Sequence, residues 1–179
     1  MKKNLIALFV CCICISFSSC DEDDVVGLLP SFKVDINQTE NIPVSIEQTN
    51  GERHSFSEQS NLTIVNKDTE DYLNKIEKVE ITKLSYKIIN FNGDPVGDVS
   101  GSFSVANEVS LQNDFVVKTA ADNQVVFEIT EVNELNRIAN ALKSGKTIAM
   151  EYGGTALCDA SAMNFVVEVT VVGKITIDP

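Results

Sequence analysis

Sulfur and imidazole are the scarce reactive groups in this chain of 179 residues, which contains five cysteines and one histidine. A Cys–His pair for nucleophilic catalysis would have to join Cys158 to His54, and no local motif brings the two together. Zinc bound by four Cys and His ligands is excluded within residues 21–179, because Cys158 and His54 are the only such residues there. We expect Cys158 to be a buried core residue, with a reactive thiol and an intermolecular disulfide as the alternatives.

The other four cysteines lie near the N-terminus, in and just after an apolar run. Lys2 and Lys3 form a basic start, residues 5–15 are apolar, and four residues of the sequence Ser-Phe-Ser-Ser follow before Cys20. A basic start followed by an apolar run of about 7–15 residues is typical of a secretory signal peptide. The run is shorter than the roughly 20 apolar residues that a membrane-spanning helix needs.

The segment Phe17-Ser18-Ser19-Cys20 resembles the lipobox of bacterial lipoproteins, although Phe17 stands where Leu is usual. This resemblance implies that residues 1–19 are removed and that Cys20 is diacylated and becomes the acylated first residue. Two or more acyl chains anchor a protein stably to a bilayer. The predicted contact with the membrane is therefore this N-terminal lipid anchor.

Four acids, Asp21, Glu22, Asp23 and Asp24, come directly after the predicted lipidation site. One interpretation is a solvated spacer, because blocks of like charge repel one another. The run also resembles the export signal of surface lipoproteins from the Bacteroidota, whereas Asp next to the Cys resembles the inner-membrane retention signal of enterobacterial lipoproteins. The length of the run favours surface export, and we expect an outer-membrane protein that faces the cell exterior.

The remaining chemistry is sparse. The net charge of −12 argues against nucleic acid and against an electrostatic hold on anionic lipid. Residues 90–98 are rich in oxygen ligands that suit calcium, but their pattern lacks the Glu of an EF-hand, and we interpret them as a turn. No phosphate-binding glycine motif is present. We predict no metal and no cofactor, and a carboxylate pair for glycoside hydrolysis remains an alternative without a recognisable context.

From residue 31 onward the apolar residues mostly alternate, which is typical of half-buried strands. Asn92-Gly93 is a hairpin signal, and a change of phase near Thr82-Lys83 predicts a bulge. Pro43 suggests an edge strand. Gly153-Gly154 is interpreted as a turn in a loop over 153–159. The predicted strands cover about 32–36, 42–46, 62–64, 79–91, 99–105, 109–117, 125–129, 146–152 and 165–177, and the predicted helices cover 68–78 and 132–142.

This pattern predicts a mainly β fold, an antiparallel β-sandwich (immunoglobulin-like or similar) with two short helices. A single domain over 31–179 would follow a tether over 20–30. Val167 and Val169 are predicted core residues, with Glu168 on the opposite, solvated face. Leu135, Ile138 and Leu142 are expected to pack against that core.

These features together predict a lipid-anchored cell-envelope protein whose domain is a surface-exposed binding or structural module. No catalytic motif indicates an enzyme. The alternatives are a small exported hydrolase that uses carboxylates and an envelope component that faces the periplasm. A protein or glycan ligand is compatible with the sequence, and nothing in it selects between them.

Overall fold

The computed structural model describes residues 30–179, which form eight strands, one 3₁₀ helix and two α-helices. The strands are β1 (Phe32–Ile46), β2 (His54–Thr63), β3 (Ile76–Asn92), β4 (Asp98–Val105), β5 (Val109–Val116), β6 (Val126–Ile129), β7 (Thr147–Leu157) and β8 (Met163–Ile177), and the helices are the 3₁₀ helix Glu70–Lys75, α1 (Val117–Asp122) and α2 (Val132–Gly145).

The strands form two antiparallel sheets of four strands each. The long sheet has the order β1-β8-β3-β6, and the short sheet has the order β2-β7-β4-β5. The prediction of a mainly β, antiparallel sandwich is confirmed. The strand count differs from the predicted nine because 32–36 and 42–46 are two ends of one strand, β1. Between them Gln38 and Glu40 occupy inward positions opposite Val171 and Val169, which hides the alternation.

The long sheet extends beyond the short one. The Gln38 amide nitrogen donates a hydrogen bond of 2.9 Å to the carbonyl oxygen of Thr63, so β2 ends beside the middle of β1. At the start of β1, Phe32 packs edge-to-face on Tyr72 of the 3₁₀ helix, with ring centroids 5.3 Å apart. Helix α2 packs against β3 through its buried apolar side. The helices thus add to the layer that faces the long sheet.

The register of the strands defines two ends of the molecule. We call the base end the part formed by residues 31–37, 64–83, 143–147 and 172–179, where β1 begins and β8 ends. We call the loop end the opposite part, formed by the connections 47–53, 93–97 and 158–162. Any segment that precedes β1 therefore enters the domain at the base end.

Aromatic rings fill the core between the sheets. The ring of Tyr86 lies 5.2 Å from that of Phe103 and 5.8 Å from that of Tyr152, which joins β3 to the short sheet. Asn113 donates a hydrogen bond of 3.0 Å to the Tyr86 hydroxyl. Val167, Val169 and the α2 residues Leu135, Ile138 and Leu142 are buried, as predicted.

The predicted helix over 68–78 is wrong in its extent, because the 3₁₀ helix ends at Lys75 and β3 begins at Ile76. The register of β3 shifts between Ile76 and Lys78. Ile76 and Val79 consequently both face the core while lying three residues apart, and this spacing imitates a helix. The shift predicted near Thr82-Lys83 is confirmed, since the pairing also slips between Ile81 and Lys83.

The predicted loop over 153–159 is also wrong at its start, because β7 continues to Leu157. Gly153 and Gly154 lie inside the sheet, opposite Ser102 and Gly101. Gly154 has a φ of +150°, and a Cβ there would lie 2.1 Å from the Ser100 carbonyl oxygen. The glycines therefore serve a close approach of strands and not a turn.

Three further boundaries depart from the predictions. Strand β2 begins at His54, eight residues before the predicted strand over 62–64, because Glu58 and Ser60 occupy inward positions and hide the alternation. Helix α1 was not predicted, since its first residues continue the alternation of β5. The Asn92-Gly93 segment leads from β3 in the long sheet to β4 in the short sheet and forms no hairpin. Pro43 does lie in an edge strand, as predicted.

Candidate functional site

The residues for which the sequence predicts a specific role, lipidation or export, lie outside the described part of the chain. Cys20 and the acids Asp21, Glu22, Asp23 and Asp24 all precede residue 30, where the described structure begins. Their roles therefore stay predictions. The structure bears on them only through the position of Phe32, the first residue of β1, at the base end.

Cys158 and His54 lie near the loop end but do not form a pair. The Cys158 thiol is buried and donates a hydrogen bond of 3.2 Å to the carbonyl oxygen of Glu47. Burial raises the pKa of the Cys158 thiol, and the charge of Asp94 raises it further. His54 is exposed at the first position of β2, in register with Ala156. A neutral, buried thiol is a poor nucleophile, so the geometry favours a structural role for Cys158.

Thr49 and Asp159 connect two of the loops at this end. The Thr49 hydroxyl donates to a carboxylate oxygen of Asp159 at 2.8 Å and accepts from the Cys158 amide at 3.0 Å. The same carboxylate oxygen accepts from the Gly51 amide at 2.6 Å. These hydrogen bonds hold the β1–β2 and β7–β8 connections together, and the one between Thr49, only 2% exposed, and the Cys158 amide lies away from water.

Asp94 performs the equivalent function for the third loop. One carboxylate oxygen accepts from the Val96 amide at 3.0 Å and the other accepts from the Ala160 amide at 2.8 Å. These backbone hydrogen bonds, that of Ala160 first, lower the pKa of Asp94. Asp98 pairs instead with Arg53. The acids of the oxygen-rich segment 90–98 are thus occupied by protein donors, and residues 30–179 contain no cluster of three or more acids, His or Cys suited to a metal ion.

The depressions in the described surface are shallow. Two of them have volumes of about 390 Å³ each. The first lies beside the β1 edge and has Glu58 as its only carboxylate. The second crosses the outer face of the long sheet, where Asp35 and Lys174 are the charged lining residues. Neither brings together two carboxylates in the arrangement that glycoside hydrolysis needs.

The outer face of the short sheet is a feature that sequence reasoning missed. Its central positions carry small hydroxyl and amide groups, with cross-strand hydrogen bonds of 2.8 Å between Ser102 and Ser110 and of 2.7 Å from Ser57 to Glu151. The signal was present in the alternation of serine along β4. The outward residues in register are Ser55, Ser57, Gln59, Ser100, Ser102, Ser104, Ser110, Gln112, Asp114, Glu151, Gly153 and Thr155.

The outer face of the long sheet differs because it carries lysines at Lys33, Lys78, Lys83, Lys87 and Lys174. Lys87 forms an ion pair of 2.8 Å with Glu168 on the neighbouring strand. Glu168 faces outward and is partly exposed, in agreement with the predicted solvated face. The two faces of one sandwich thus have different side-chain chemistry.

The chain matches no protein-family model, no curated protein and no solved structure at a significant level. Among the described residues no helix is long and apolar enough to cross a bilayer.

Proposed function

We propose that this protein is a lipid-anchored component of the bacterial cell envelope, attached through Cys20, whose β-sandwich is a surface-exposed binding or structural module. The observation that carries the proposal is the sequence Phe17-Ser18-Ser19-Cys20 after a signal-like apolar run. The direction of β1 supports it. The strand starts at the base end and has 15 residues, so it reaches about 50 Å towards the loop end. An anchor before β1 would be attached at the base end, opposite the loop end.

The positions of the acids favour a module over a hydrolase. Asp94, Asp98 and Asp159 are engaged by backbone amides, by an arginine or by a threonine. Glu151 accepts hydrogen bonds from Ser57 and Gln59 across the strands. Carboxylates with these partners stabilise the fold, whereas a general acid needs an environment that raises its pKa. Among these four carboxylates the exported-hydrolase alternative finds no candidate pair.

The test of anchoring is the exchange Cys20→Ala, with Cys14→Ala as its matched control. We expect the Cys20 variant to accumulate as an unprocessed precursor without acyl groups, because the modified sulfur is lost. The Cys14 variant should be processed and acylated like the natural chain. Intact mass and detergent partitioning measure both. A mature N-terminus elsewhere, or a Cys20 without acyl mass, would overturn the proposal.

Surface display is tested separately by replacing residues 21–24 with alanine. Acylation should persist, since the sequence up to Cys20 is unchanged, while labelling of intact cells by antibody should be lost. A control variant with Asp68, Glu70 and Asp71 changed to alanine removes exposed acids from within the domain and should still be displayed. Equal labelling of all three proteins would mean that the run is a spacer. If antibody does not label intact cells that carry the natural chain, the periplasm-facing alternative is favoured.

A further inference from the structure

The negative charge of the described chain is distributed unevenly between its two ends. The base end carries eight lysines and seven acids, whereas the remainder of residues 30–179 carries four basic and fifteen acidic residues. The base end is thus close to neutral and the rest of the domain holds the net negative charge. The base-end lysines are Lys33, Lys67, Lys75, Lys78, Lys83, Lys143, Lys146 and Lys174.

Four of these lysines lie together on the outer face of the long sheet, and we call Lys33, Lys78, Lys83 and Lys174 the lysine face. Lys33 and Lys78 flank Thr176 in one row of the sheet, and Lys174 lies in the next row. Two acids, Asp35 and Glu80, share these rows, and Lys75, Glu77 and Asp178 are exposed charged residues that border them.

Three lysines of this face act on the same carboxylate, that of Glu80. The pKa of Glu80 is lowered, first by its hydrogen bond with Lys78 and the charge of that lysine, and also by the charges of Lys33 and Lys174. The Lys78–Glu80 pair has a nitrogen–oxygen distance of 2.8 Å. Lys33 and Lys174 are exposed. The face therefore presents more positive than negative charge to solvent on a protein that is acidic overall.

The lysine face lies at the end where the chain from the predicted anchor enters the domain. Ten residues, 21–30, separate the predicted acylated Cys20 from Ser31, and the chain between these two residues spans at most about 40 Å. The face is thus within reach of the bilayer that would hold the anchor.

We propose that the lysine face contacts the phosphate groups of anionic lipids in that bilayer. The base half of the outer face of the long sheet then lies against the membrane surface. This inference rests on the proposed anchoring. Each lysine near an anionic surface adds an attraction equivalent to about a fivefold change in binding. The acidic remainder of the domain is repelled by the same surface, which favours the same orientation. The net charge of the chain alone predicts only repulsion, and the uneven distribution changes that expectation.

The experiment measures the acetylation rate of each lysine by mass spectrometry in the full acylated protein. The protein is reconstituted in vesicles of phosphatidylcholine alone, or of phosphatidylcholine with about one third phosphatidylglycerol to approximate a negative surface. We expect the four residues of the lysine face to react about fivefold more slowly on the anionic vesicles, and Lys118 to react equally on both. NaCl at about 1 M should remove the difference, because it shortens the Debye length to about 3 Å.

Two matched variants identify the surface that makes the contact. The exchange of Lys33 and Lys174 to glutamate should abolish the slower reaction of Lys78 and Lys83. The exchange of Lys118 and Arg137 to glutamate changes the net charge equally and should preserve it. Equal rates in both kinds of vesicle for the natural chain would overturn the proposal. Slower reaction that appears without vesicles as the protein concentration rises would also overturn it, in favour of a contact with a second copy.

The anchoring and the lysine face can fail independently. The N-terminal mass of the same sample reports acylation. If acyl groups are absent, the full chain is mixed with the two kinds of vesicle and floated in a gradient. Flotation with the anionic vesicles alone would then support the lysine face without the anchor, and no flotation would reject both.

Discussion

The base end and the loop end of the sandwich are stabilised by different interactions. On the outer face of the base end, charged side chains project from a sheet with two bulges, as in the exposed Lys78–Glu80 pair, while Thr69 is the buried polar residue of this end. At the loop end, buried side chains hold the loops through backbone amides, as Asp94 and Thr49 do. Exposed ion pairs contribute little to stability and are screened by salt, whereas a buried donor left without its partner costs about 1–3 kcal/mol. Single side chains should therefore contribute more to stability at the loop end, whereas single charges on the outer face of the base end should contribute little.

The largest effect is expected in the core that both ends share. Val169→Asp places a charge opposite Tyr86 at a fully buried position and should destabilise the fold by several kcal/mol. Glu168→Lys, on the outer face, should cost about 1 kcal/mol or less. Urea unfolding of the full chain measures both. Equal costs would mean that the outer face of the long sheet is also covered.

Alkaline pH should weaken the same core. Burial raises the pKa of Tyr86 to about 12, with the hydrogen bond from Asn113 acting in the opposite direction. A raised pKa in the folded state means that the stability is complete below pH 10, the ordinary value, and is lost as the pH rises towards 12. The loss attributable to Tyr86 is about 2–3 kcal/mol.

Unfolding midpoints between those two pH values measure this loss, and Tyr86→Phe is the control. In this variant, the part of the stability loss between pH 10 and pH 12 that Tyr86 causes should be absent. The part that Tyr152 causes should remain, because burial also raises the pKa of Tyr152. A variant with the same pH dependence as the natural chain would show that Tyr86 is already ionised or exposed in the folded protein.

A pair of threonines compares the two ends directly. Thr49→Val leaves the buried Cys158 amide without its acceptor and should cost about 1–3 kcal/mol. Thr82→Val removes an exposed hydroxyl that donates to the Val172 carbonyl at 3.1 Å, and should cost about 0.5 kcal/mol or less. Denaturant titration of each variant gives the two values. A larger cost at Thr82 would reverse the comparison between the ends.

The smallest effect is a difference in salt sensitivity between two carboxylates. The pKa of Asp94 is lowered from 3.8 by backbone hydrogen bonds, and that of Glu80 is lowered from 4.5 mainly by Lys78. Each contributes stability above its ordinary value and loses it as the pH falls through the lowered one. Raising NaCl to about 1 M should return the Glu80 value towards 4.5 and leave Asp94 low. Carboxyl carbon NMR titrations measure both, and a parallel response would show that one cause governs the two.

Much of the fold follows from local patterns. The alternation in β8 and the helical spacing of Leu135, Ile138 and Leu142 correctly indicate which side chains are buried, because side-chain direction repeats regularly within one element. The prediction fails where a bulge changes that repeat, as between Ile76 and Lys78. It also fails where polar residues occupy inward positions, as Gln38 does in β1.

The candidate sites show the same division. The signal-like segment and Cys20 are read from consecutive residues, and so the sequence alone predicts them. The contact between Thr49 and Asp159 joins residues separated by 110 positions. No local pattern distinguishes these two residues from the other polar residues in loops.

The sequence by itself determined the β-rich class, the buried faces of the best-patterned elements and the total charge. Each of these depends on composition or on neighbours along the chain. Only the tertiary structure decided the order of the strands in the two sheets, the hydrogen bonds of Asp94 and the proximity of the lysines at the base end. Strand register brings Lys33, Lys78 and Lys174 onto one face, and register depends on contacts between residues distant in the sequence.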